Sequence, residues 1–472
     1  MISYIRNGKT FTLKQKFILV FTLSIPTILA QISSIIMQYI DAAMVGHLGT
    51  TQSSAIGLMA TSTWMFGSLC TAAVSGFSIQ VAQYIGAKKK RKATEILWQS
   101  YYVVLAIAFG LTILGVLLCY PLPVWLGGEE CVCGYARSYF LIYVFSLPVH
   151  ALNSLSTSML QCSGNMKIPG ILQCVMCFLD VLLNLFFIFP SGTYQIAGRK
   201  IWLPGANLGV VGAALGTALA ELIIVVILLY ILAKQTPLLQ FEKGVKYQMH
   251  REDLGRAWKI SLPIAFERFI VCAAQIISTV IVAPLGMVAI VANSFSITVE
   301  SLCYMPGYGI GSAATTLIGQ SVGAKRPKLA YSFGKITIGL GMAIMCATGV
   351  LMYAFAPQMI ALLSPDQAVQ KLGTEILRIE AFAEPLYGAS IVAAGVLRGA
   401  SDTLIPSILN LVSLWAVRIP LSYVFAKTYG LQGVWLAMCL ELCFRGIIYL
   451  IRFWKKRWIR NIPERGELQN EI

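Results

Sequence analysis

The sequence has few charged residues and almost no histidine. Only 12% of its 472 residues are Asp, Glu, Lys or Arg, and it contains 3 His. Ordinary globular proteins carry about 25% charged residues. Hydrophobic residues make up 57%, and the mean hydropathy is +0.74. Such a composition excludes an ordinary soluble protein and indicates a chain that crosses a membrane many times.

The sequence also lacks the alternation of apolar and polar residues that barrel strands require. Only helices and closed barrels satisfy their backbone groups in lipid, so the apolar stretches are predicted to be helices. No polar stretch is long enough for a soluble domain. We therefore predict an all-α polytopic membrane protein. Its twelve predicted transmembrane helices lie at 15–40, 53–82, 95–119, 135–160, 168–190, 206–232, 257–284, 289–319, 331–356, 372–396, 404–426 and 431–453.

No group of residues typical of an enzyme occurs in the sequence. Its 12 Cys lack zinc or redox spacing in a plausible context, and its His residues are isolated. The glycine-rich stretch at 209–216 begins a membrane span, so it lacks the strand–helix context of a nucleotide-binding loop. We expect no enzymatic activity and no cofactor other than a coupling ion.

Positive charge is concentrated in the short loops. Most of the 36 Lys and Arg lie in the N-terminus, the even-numbered loops and the C-terminal tail, and five form the run at 88–92. This asymmetry predicts that both termini are cytoplasmic and that the protein lies in the cytoplasmic (inner) membrane. The net charge of +16 could suggest nucleic acid. Membrane topology explains it better, so the lipid bilayer is the expected partner and nucleic acid is not.

Part of the sequence occurs twice. Segments that begin at Pro26 and Leu160 are repeated at Pro263 and Leu397, in both cases 237 positions later. Each copy has six predicted spans, so both enter the membrane in the same orientation, as parallel repeats around a central cleft. The predicted parts are an N-terminal lobe (1–233), a cytoplasmic linker (234–256), a C-terminal lobe (257–453) and a cytoplasmic tail (454–472).

The repeat register breaks once, before the sixth span. The first half contains about 16 additional residues there, including two short β-prone runs around Ala197 and Gly198. This pattern predicts a hairpin on the outer face, near 190–205. The hairpin could gate the cleft or simply cover the surface.

Ionisable residues inside the spans are the best candidates for a site, because each costs about 2.5–3.5 kcal/mol on insertion scales. Asp41 lies deep in the first span, about fifteen residues beyond Pro26, and proline permits a helix kink. A carboxylate there can bind a cation or a proton while the helix changes shape. The repeat counterpart of Asp41 is Ser278, so the fold itself does not require the carboxylate.

Three further polar residues suit the same kind of site. Asp180 and Asn184 are four residues apart and share one helix face, and Thr217 lies at the start of the sixth span. Carboxylate, amide and hydroxyl oxygens suit a hard cation such as sodium. They equally suit a hydrogen-bond network that carries a proton, and the sequence leaves both open.

The second half has its own acidic candidates. Glu267 follows Pro263 by four residues, and Glu384 precedes Pro385, with Tyr387 about one turn further on. Glu384 could bind a cation or substrate, mark a kink or pair with Arg418.

The other charged residues in predicted spans are Glu221, Arg268, Glu300, Glu441 and Arg445. Glu300, Glu441 and Arg445 lie nearer span ends, where a long side chain can reach the interface. His150 could face the cleft, although a packed helix position is the simpler interpretation.

These features resemble the multidrug and toxic compound extrusion (MATE) family. The resemblance rests on the two parallel halves, Pro26 with Asp41, the loop at 86–88, Glu267 after Pro263, and the segment GVLRGASDT at 395–403. It covers nearly the whole chain. It implies antiport, in which entry of sodium or protons drives export of organic, often cationic compounds. We expect a monomer.

The resemblance also assigns roles to residues. Asp41, Asp180, Asn184 and Thr217 would form the cation site of the N-terminal lobe, as sodium ligands if sodium is the coupling ion. Glu267 would be the acid of the C-terminal lobe. The family more often has Asn at 180 and an acid nearer 184, so acid and amide are exchanged here. Some members have an Asp near the position of Tyr387, and this sequence does not match them there; Glu384 lies about one turn earlier.

A second hypothesis is a flippase for lipid-linked precursors, which has a related two-lobed architecture. A flippase would need a strongly cationic cavity for pyrophosphate. The cleft candidates here include five acids, which favours a drug exporter. These acids are Asp41, Asp180, Glu221, Glu267 and Glu384. The sequence does not identify the drug, because polyspecific cavities use apolar walls with few fixed hydrogen bonds.

Overall fold

The computed structural model describes residues 2–46, 48–196, 199–241 and 247–460, and most of them are helical. In the first half, the elements are α1 (Ser3–Arg6), α2 (Leu13–Gly46), α3 (Thr50–Gly86), α4 (Lys90–Leu118), α5 (Pro121–Trp125), α6 (Glu130–Ser163), α7 (Lys167–Ile188), β1 (Pro190–Ile196), β2 (Arg199–Ala206) and α8 (Gly209–Gln235). In the second half, they are α9 (Arg251–Val282), a 3-10 turn (Ala283–Leu285), α10 (Met287–Gly323), α11 (Pro327–Ala361), α12 (Gln367–Glu380), α13 (Glu384–Gly399), α14 (Leu404–Val412), a π-helical turn (Ser413–Arg418) and α15 (Ile419–Trp454).

Ten helical segments among the described residues are long and apolar enough to cross a membrane. The protein is therefore a mainly helical, multi-pass membrane protein. Nine of these segments lie at the first nine predicted spans, and the tenth is the stretch Leu404–Trp454. That stretch covers the two last predicted spans, and inside α15 only Gly430 leaves the helical region, with φ 60° and ψ −137°.

The tenth predicted span, 372–396, is not one continuous helix. It is divided between Glu380 and Glu384 into α12 and α13, of 14 and 16 residues. Pro385 accounts for the position of the break. Proline has no backbone N–H, and its ring clashes with the carbonyl four residues earlier, so a new helix begins at its first turn. The helix predicted at 372–396 is therefore two helices, and the division falls where Glu384 was one of the candidates to mark a kink.

The two halves use the same helix pairs. In the first half, α2 packs on α7, α3 on α4 and α6, α6 on α4 and α8, and α7 on α8. In the second half, α9 packs on α14, α10 on α11, α12 and α13, α13 on α11 and α15, and the π-helical turn on α15. When the spans are numbered from one to six within each half, each of these pairs of packed spans in the first half has the equivalent pair in the second half. Between the halves, α2 packs on α10, and α3 packs on α9 and α10.

Two hydrogen bonds between the halves are reciprocal. Gln83 Nε2 donates a hydrogen bond to the carbonyl of Gly399 at 3.0 Å, and Gln320 Nε2 donates to the carbonyl of Cys162 at 2.8 Å. The two glutamines are 237 positions apart, and so are the two acceptors. Such an exchange of equivalent contacts is what a two-fold relation between two similar units produces. We call these two hydrogen bonds the glutamine latch.

Two glycines allow the latch to close. Gly86 lies against the carbonyl of Gln320, and Gly323 lies against the carbonyl of Gln83. A Cβ atom at either glycine would collide with the backbone of the opposite half. The spacing of 237 holds for these glycines as well. The ends of α3 and α10 therefore meet backbone to backbone, just before the basic loops that follow them.

The strands of the predicted hairpin are among the described residues, whereas several other predicted features are not. The strands of the predicted hairpin pair antiparallel, with Thr193 opposite Trp202. The turn at Ala197 and Gly198 is not among the described residues, and neither are His47, linker residues 242–246 and tail residues from 461.

Candidate functional site

A cluster inside the first half brings together the four residues predicted for the cation site. Asp41 comes from α2, Asp180 and Asn184 from α7, and Thr217 from α8. Asn184 Nδ2 donates to Asp41 Oδ1 at 2.8 Å and to Asp180 Oδ2 at 3.1 Å. The Thr217 hydroxyl donates to the carbonyl of Ala213 at 3.2 Å and is also close enough to Asp180 to interact with it. We call these four residues the N-lobe cluster.

Glycines on α8 set the geometry of this cluster. A Cβ at Gly212 would collide with the carbonyl of Phe187, and one at Gly216 would collide with Asn184 Oδ1. Small residues four apart let two membrane helices approach closely. The sequence pattern alone does not connect these glycines with the site. Their spacing brings α8 against α7 and leaves room for the amide of Asn184.

Several oxygens of the N-lobe cluster have no hydrogen-bond donor. Asp180 and Asn184 are 0% exposed, and Asp180 Oδ1 and Asn184 Oδ1 have no partner among the described residues. A buried acceptor without a donor costs about 1–3 kcal/mol, and an uncompensated buried charge costs more. Two adjacent carboxylates also repel each other unless a cation or proton lies with them. The donor set therefore fits an alkali cation or an added proton.

Glu267, the predicted acid of the second half, is by contrast fully hydrogen bonded. Arg398 Nη2 lies 3.2 Å from Oε1 and 3.3 Å from Oε2. Ser407 Oγ donates to Oε2 at 2.8 Å, and Asn410 Nδ2 donates to Oε1 at 2.9 Å. The neighbouring Arg268 points elsewhere and lies over the ring of Trp64. Glu267 thus ties α9 to α13 and α14, and neither of its oxygens lacks a donor.

The hydrogen bonds of Glu267 continue deeper into the second half. Asn410 Oδ1 accepts from Arg445 Nη1 at 2.8 Å, and Arg445 Nε lies 3.0 Å from Glu441 Oε1. Ser413, in the π-helical turn, donates to the same carboxylate. Glu441 is 0% exposed. The expectation that Glu441 and Arg445 reach towards the interface was therefore wrong, because the two pair with each other inside the protein.

Three more carboxyl groups lie around the break in the tenth predicted span. Glu380 ends α12, Glu384 begins α13, and Glu300 lies on α10; all three are buried. Neither oxygen of Glu380 or Glu384 has a donor among the described residues. Glu384 forms no ion pair with Arg418, whose guanidinium contacts the sulfur of Met438 instead.

Tyr387 packs close to this acidic group. Its ring lies 5.6 Å from that of Tyr304, and the guanidinium of Arg445 lies 5.3 Å from its centroid. Tyr387 therefore lies against Tyr304 on α10 and against Arg445, a member of the Glu267 network.

Sequence reasoning missed several of these residues. Arg398 lies within the segment GVLRGASDT that carried the resemblance, but its pairing with Glu267 joins two different helices. Glu380 left a signal in the sequence: it precedes Glu384 by four residues in a predicted span. Asn153 left none.

Both predicted kink residues lie inside helices that continue past them. Pro26 is in α2 and Pro263 in α9. The carbonyl of Pro26 lies against Gly170, where a Cβ would approach it within 2.6 Å. The next residue, Thr27, donates to the carbonyl of Gly309 in the opposite half at 2.8 Å. The Pro26 region thus connects α2 with both α7 and α10.

A multi-pass helical protein with matching halves and buried polar clusters has the architecture of a secondary transporter. The model of the MatE family matches the chain twice, at residues 26–189 and 263–424. The two matches begin at Pro26 and Pro263. This chain belongs to the MATE family of membrane transporters, which is not a family of enzymes.

Relatives and solved structures agree with this assignment. The probable multidrug resistance protein NorM of Thermotoga maritima is 25% identical over 443 residues, which is 92% of each chain. The probable NorM of Bacillus cereus is 25% identical over 458 residues, covering 95% of this chain and 97% of that one.

Two solved structures have the same fold. A mutant of the Vibrio cholerae MATE transporter VcmN has a TM-score of 0.87 at 18% identity, covering 95% of this chain and 98% of that one. A MOP-superfamily transporter from Pyrococcus furiosus also has a TM-score of 0.87 at 18% identity, covering 98% of each chain. That protein is described as having a binding pocket of reversed polarity, which suggests a different function. At these identities the likeness concerns the fold alone.

The buried pair of Glu267 and Arg398 predicts a specific pattern of stability. Either Glu267→Gln or Arg398→Met alone leaves a buried charge unpaired, which typically costs about 3–5 kcal/mol. The double variant should lose much less than the two single variants together. Melting temperatures in detergent test this, with Lys259→Gln as the control because Lys259 is exposed on the same helix. Additive losses in the double variant would show that the pair is not coupled.

Proposed function

We propose that this protein is a cation-coupled antiporter that exports organic, often cationic compounds, driven by entry of Na⁺ or H⁺. The N-lobe cluster carries the proposal, because it holds two carboxyl groups and donor-free oxygens inside an apolar lobe. Membership of the MATE family supports it, as do relatives named multidrug resistance proteins. Asp41, Asp180, Asn184 and Thr217 hold the coupling ion in this scheme.

The protein would work by alternating access between two lobes. We take 1–233 and 257–453 as the lobes, with six spans each in parallel repeats, the linker 234–256 between them and the tail at 454–472. The shared packing pattern and the reciprocal glutamine latch support this arrangement. The tenth span would then comprise α12 and α13, and Gly430 would separate the eleventh span from the twelfth.

The basic loops set the expected direction of opening. The latch lies beside the loops that contain 88–92 and 325–328, both rich in Lys and Arg. The positive-inside rule assigns such loops to the cytoplasm, so both termini are cytoplasmic and the membrane is the inner one. The latch then closes the cytoplasmic side, and the cleft opens outward in this conformation.

Coupling requires only that ion and substrate favour different states. An ion that binds one conformation better shifts the equilibrium towards it, and a substrate that binds there less well is released. Each net charge that enters contributes about 2.3 kcal/mol per 100 mV, which sustains roughly a 50-fold gradient. Both lobes belong to one chain, so a monomer suffices, and the cycle needs no cofactor other than the coupling ion.

The acidic interior favours an exporter of cations over a lipid-precursor flippase. The Pyrococcus furiosus protein illustrates that this fold does not fix the polarity of the pocket. In this chain, the described interior of the first lobe carries Asp41, Asp180 and Glu221. A pyrophosphate group would meet repulsion there, whereas an organic cation would be attracted.

Replacing Asp41 tests the role of the N-lobe cluster. Asp41→Asn removes one of the two adjacent carboxyl groups, so the ion loses its main ligand. We expect gradient-driven uptake of ethidium into inverted vesicles to fall at least tenfold. Ser278→Asn is the matched control because it changes the equivalent position of the second half, and it should transport normally. Equal transport by Asp41→Asn and the unmutated protein would contradict the assigned role.

The glutamine latch predicts a measurable change in access to a native thiol. Cys162 is 5% exposed, and its carbonyl accepts the hydrogen bond of Gln320. Weakening the latch with Gln83→Ala or Gln320→Ala should open the cytoplasmic side and speed labelling of Cys162 by maleimide several-fold. Mass spectrometry of the peptides gives the rate, with Cys303, buried on α10, as the internal control.

The same experiment also compares the effects of the two substitutions. Because Gln83 also donates to Ser401 Oγ and accepts from Arg256 Nη2, Gln83→Ala removes more contacts than Gln320→Ala and should speed labelling at least as much. If Cys162 labels at the same rate in all three proteins, the latch does not hold the cytoplasmic side closed.

A further inference from the structure

A second polar group lies inside the first lobe, between α6 and α8. His150 Nδ1 is 2.9 Å from Glu221 Oε1, and Asn153 Nδ2 donates to the same oxygen at 2.8 Å. Among the described residues, His150 is the only ion-pair partner of Glu221. This group has no residue in common with the N-lobe cluster.

Three helices build this group. His150 and Asn153 are three residues apart on α6, so they share a face, and Glu221 follows Thr217 by one turn of α8. Gly67 on α3 lies beside the imidazole: a Cβ there would be 2.8 Å from the Tyr143 hydroxyl and 3.4 Å from His150 Nε2. Glu221 therefore lies one helical turn from the N-lobe cluster along α8.

The imidazole of the pair is partly exposed. The His150 side chain is 34% exposed, and that of Glu221 is 8% exposed. A proton can therefore reach the imidazole without rearrangement of the lobe. The Glu221 carboxylate beside it, in an apolar lobe, is a natural partner for an organic cation.

We propose that His150 and Glu221 form an exchange site at which a proton and an organic cation compete for one carboxylate. The inference rests on the proposed export of organic cations and adds a substrate-binding group to it. With His150 neutral, its Nδ1–H donates to Glu221, and the pair carries one negative charge that attracts the cation. A proton that adds to Nε2 makes the ring cationic, neutralises the pair and releases the cation.

The step balances without any further reactant. One N–H bond forms at Nε2 when the proton arrives, and no other covalent bond changes. The pair goes from a charge of −1 to 0 while one organic cation leaves, so the total charge of the site is conserved. Reversal on the other side of the membrane returns the proton and rebinds a cation.

Other titratable groups near the pair are few. Of the described residues, Cys70 on α3 and Tyr143 on α6 interact electrostatically with Glu221. Tyr139, one turn from Tyr143, lies near Asp41 and Asp180 instead. Cysteine and tyrosine ordinarily titrate above pH 8, whereas histidine changes charge between pH 5 and 8. His150 is therefore the group that can switch this site in the physiological range.

The test is binding of tetraphenylphosphonium to the purified full-length protein at pH 5.5 and pH 8, at constant Na⁺. The unmutated protein should bind at least tenfold more weakly at pH 5.5. His150→Gln keeps a hydrogen-bond donor but cannot be protonated, so its affinity should vary less than twofold between the two pH values. Glu221→Gln should weaken binding at least tenfold at pH 8. A His150→Gln protein with the full pH dependence would overturn the proposal.

A second measurement needs no change to the pair. The chain has 3 His, so ring nitrogen NMR in a background of His47→Gln and His250→Gln reports on His150 alone. When tetraphenylphosphonium saturates the site, half-protonation of His150 should require an at least tenfold higher proton concentration. An unchanged midpoint would overturn the proposal, even if His150→Gln fails to fold.

Export assays separate this inference from the function on which it rests. If the unmutated protein shows no gradient-driven export of tetraphenylphosphonium, the proposed function fails. If it exports the probe but titration of His150 is insensitive to the probe, only the exchange site fails.

Discussion

The cost of a buried charge in an apolar lobe governs the polar interior of this protein. A carboxylate that leaves water must find a donor, a cation or a proton, or its burial costs several kcal/mol. The second half meets this requirement at Glu267 and Glu441, which pair with Arg398 and Arg445, but not at Glu380 and Glu384, whose oxygens have no donor among the described residues. In the first half, the donor-free oxygens of Asp180 and Asn184 lie beside a second carboxyl group, that of Asp41, where an external cation or proton is stabilised.

The two halves therefore share a scaffold and differ in chemistry. The glutamine latch and the glycines beside it repeat at a spacing of 237, so the joint between the halves is built from equivalent residues. The ionisable residues do not repeat in this way. Asp41 corresponds to Ser278, and Asp180 corresponds to Val417. Under the proposed alternating access, symmetric contacts suit a joint that opens and closes, while an asymmetric interior would let one lobe specialise in ion binding.

Patterns along a single helix predicted much of the candidate site. The four-residue spacing of Asp180 and Asn184 put them on one face, and the structure brings Asp41 and Thr217 to the same place. The sequence could not predict pairs that join distant helices, such as Glu267 with Arg398 or His150 with Glu221. Those pairs depend on the rotation and depth of each helix in the bundle, which one sequence does not specify.

The break in the tenth span could not be predicted from the sequence for a different reason. Pro385 was visible in the sequence, but proline occurs both within continuous helices, as in α2 and α9, and at their first turn, as in α13. Only the surrounding packing decides between these outcomes. The break matters because it positions Glu380 and Glu384, whose carboxyl groups have no donors among the described residues.

Ion-driven antiport is the central claim, and imposed gradients test it most directly. Purified protein in liposomes that contain a fluorescent organic cation is given either an inward Na⁺ gradient at fixed pH or an inward proton gradient at equal Na⁺. At least one gradient should drive release of the cation faster than protein-containing liposomes without a gradient, and the driving ion should enter as the cation leaves. Release that is the same with either gradient and with none would contradict antiport.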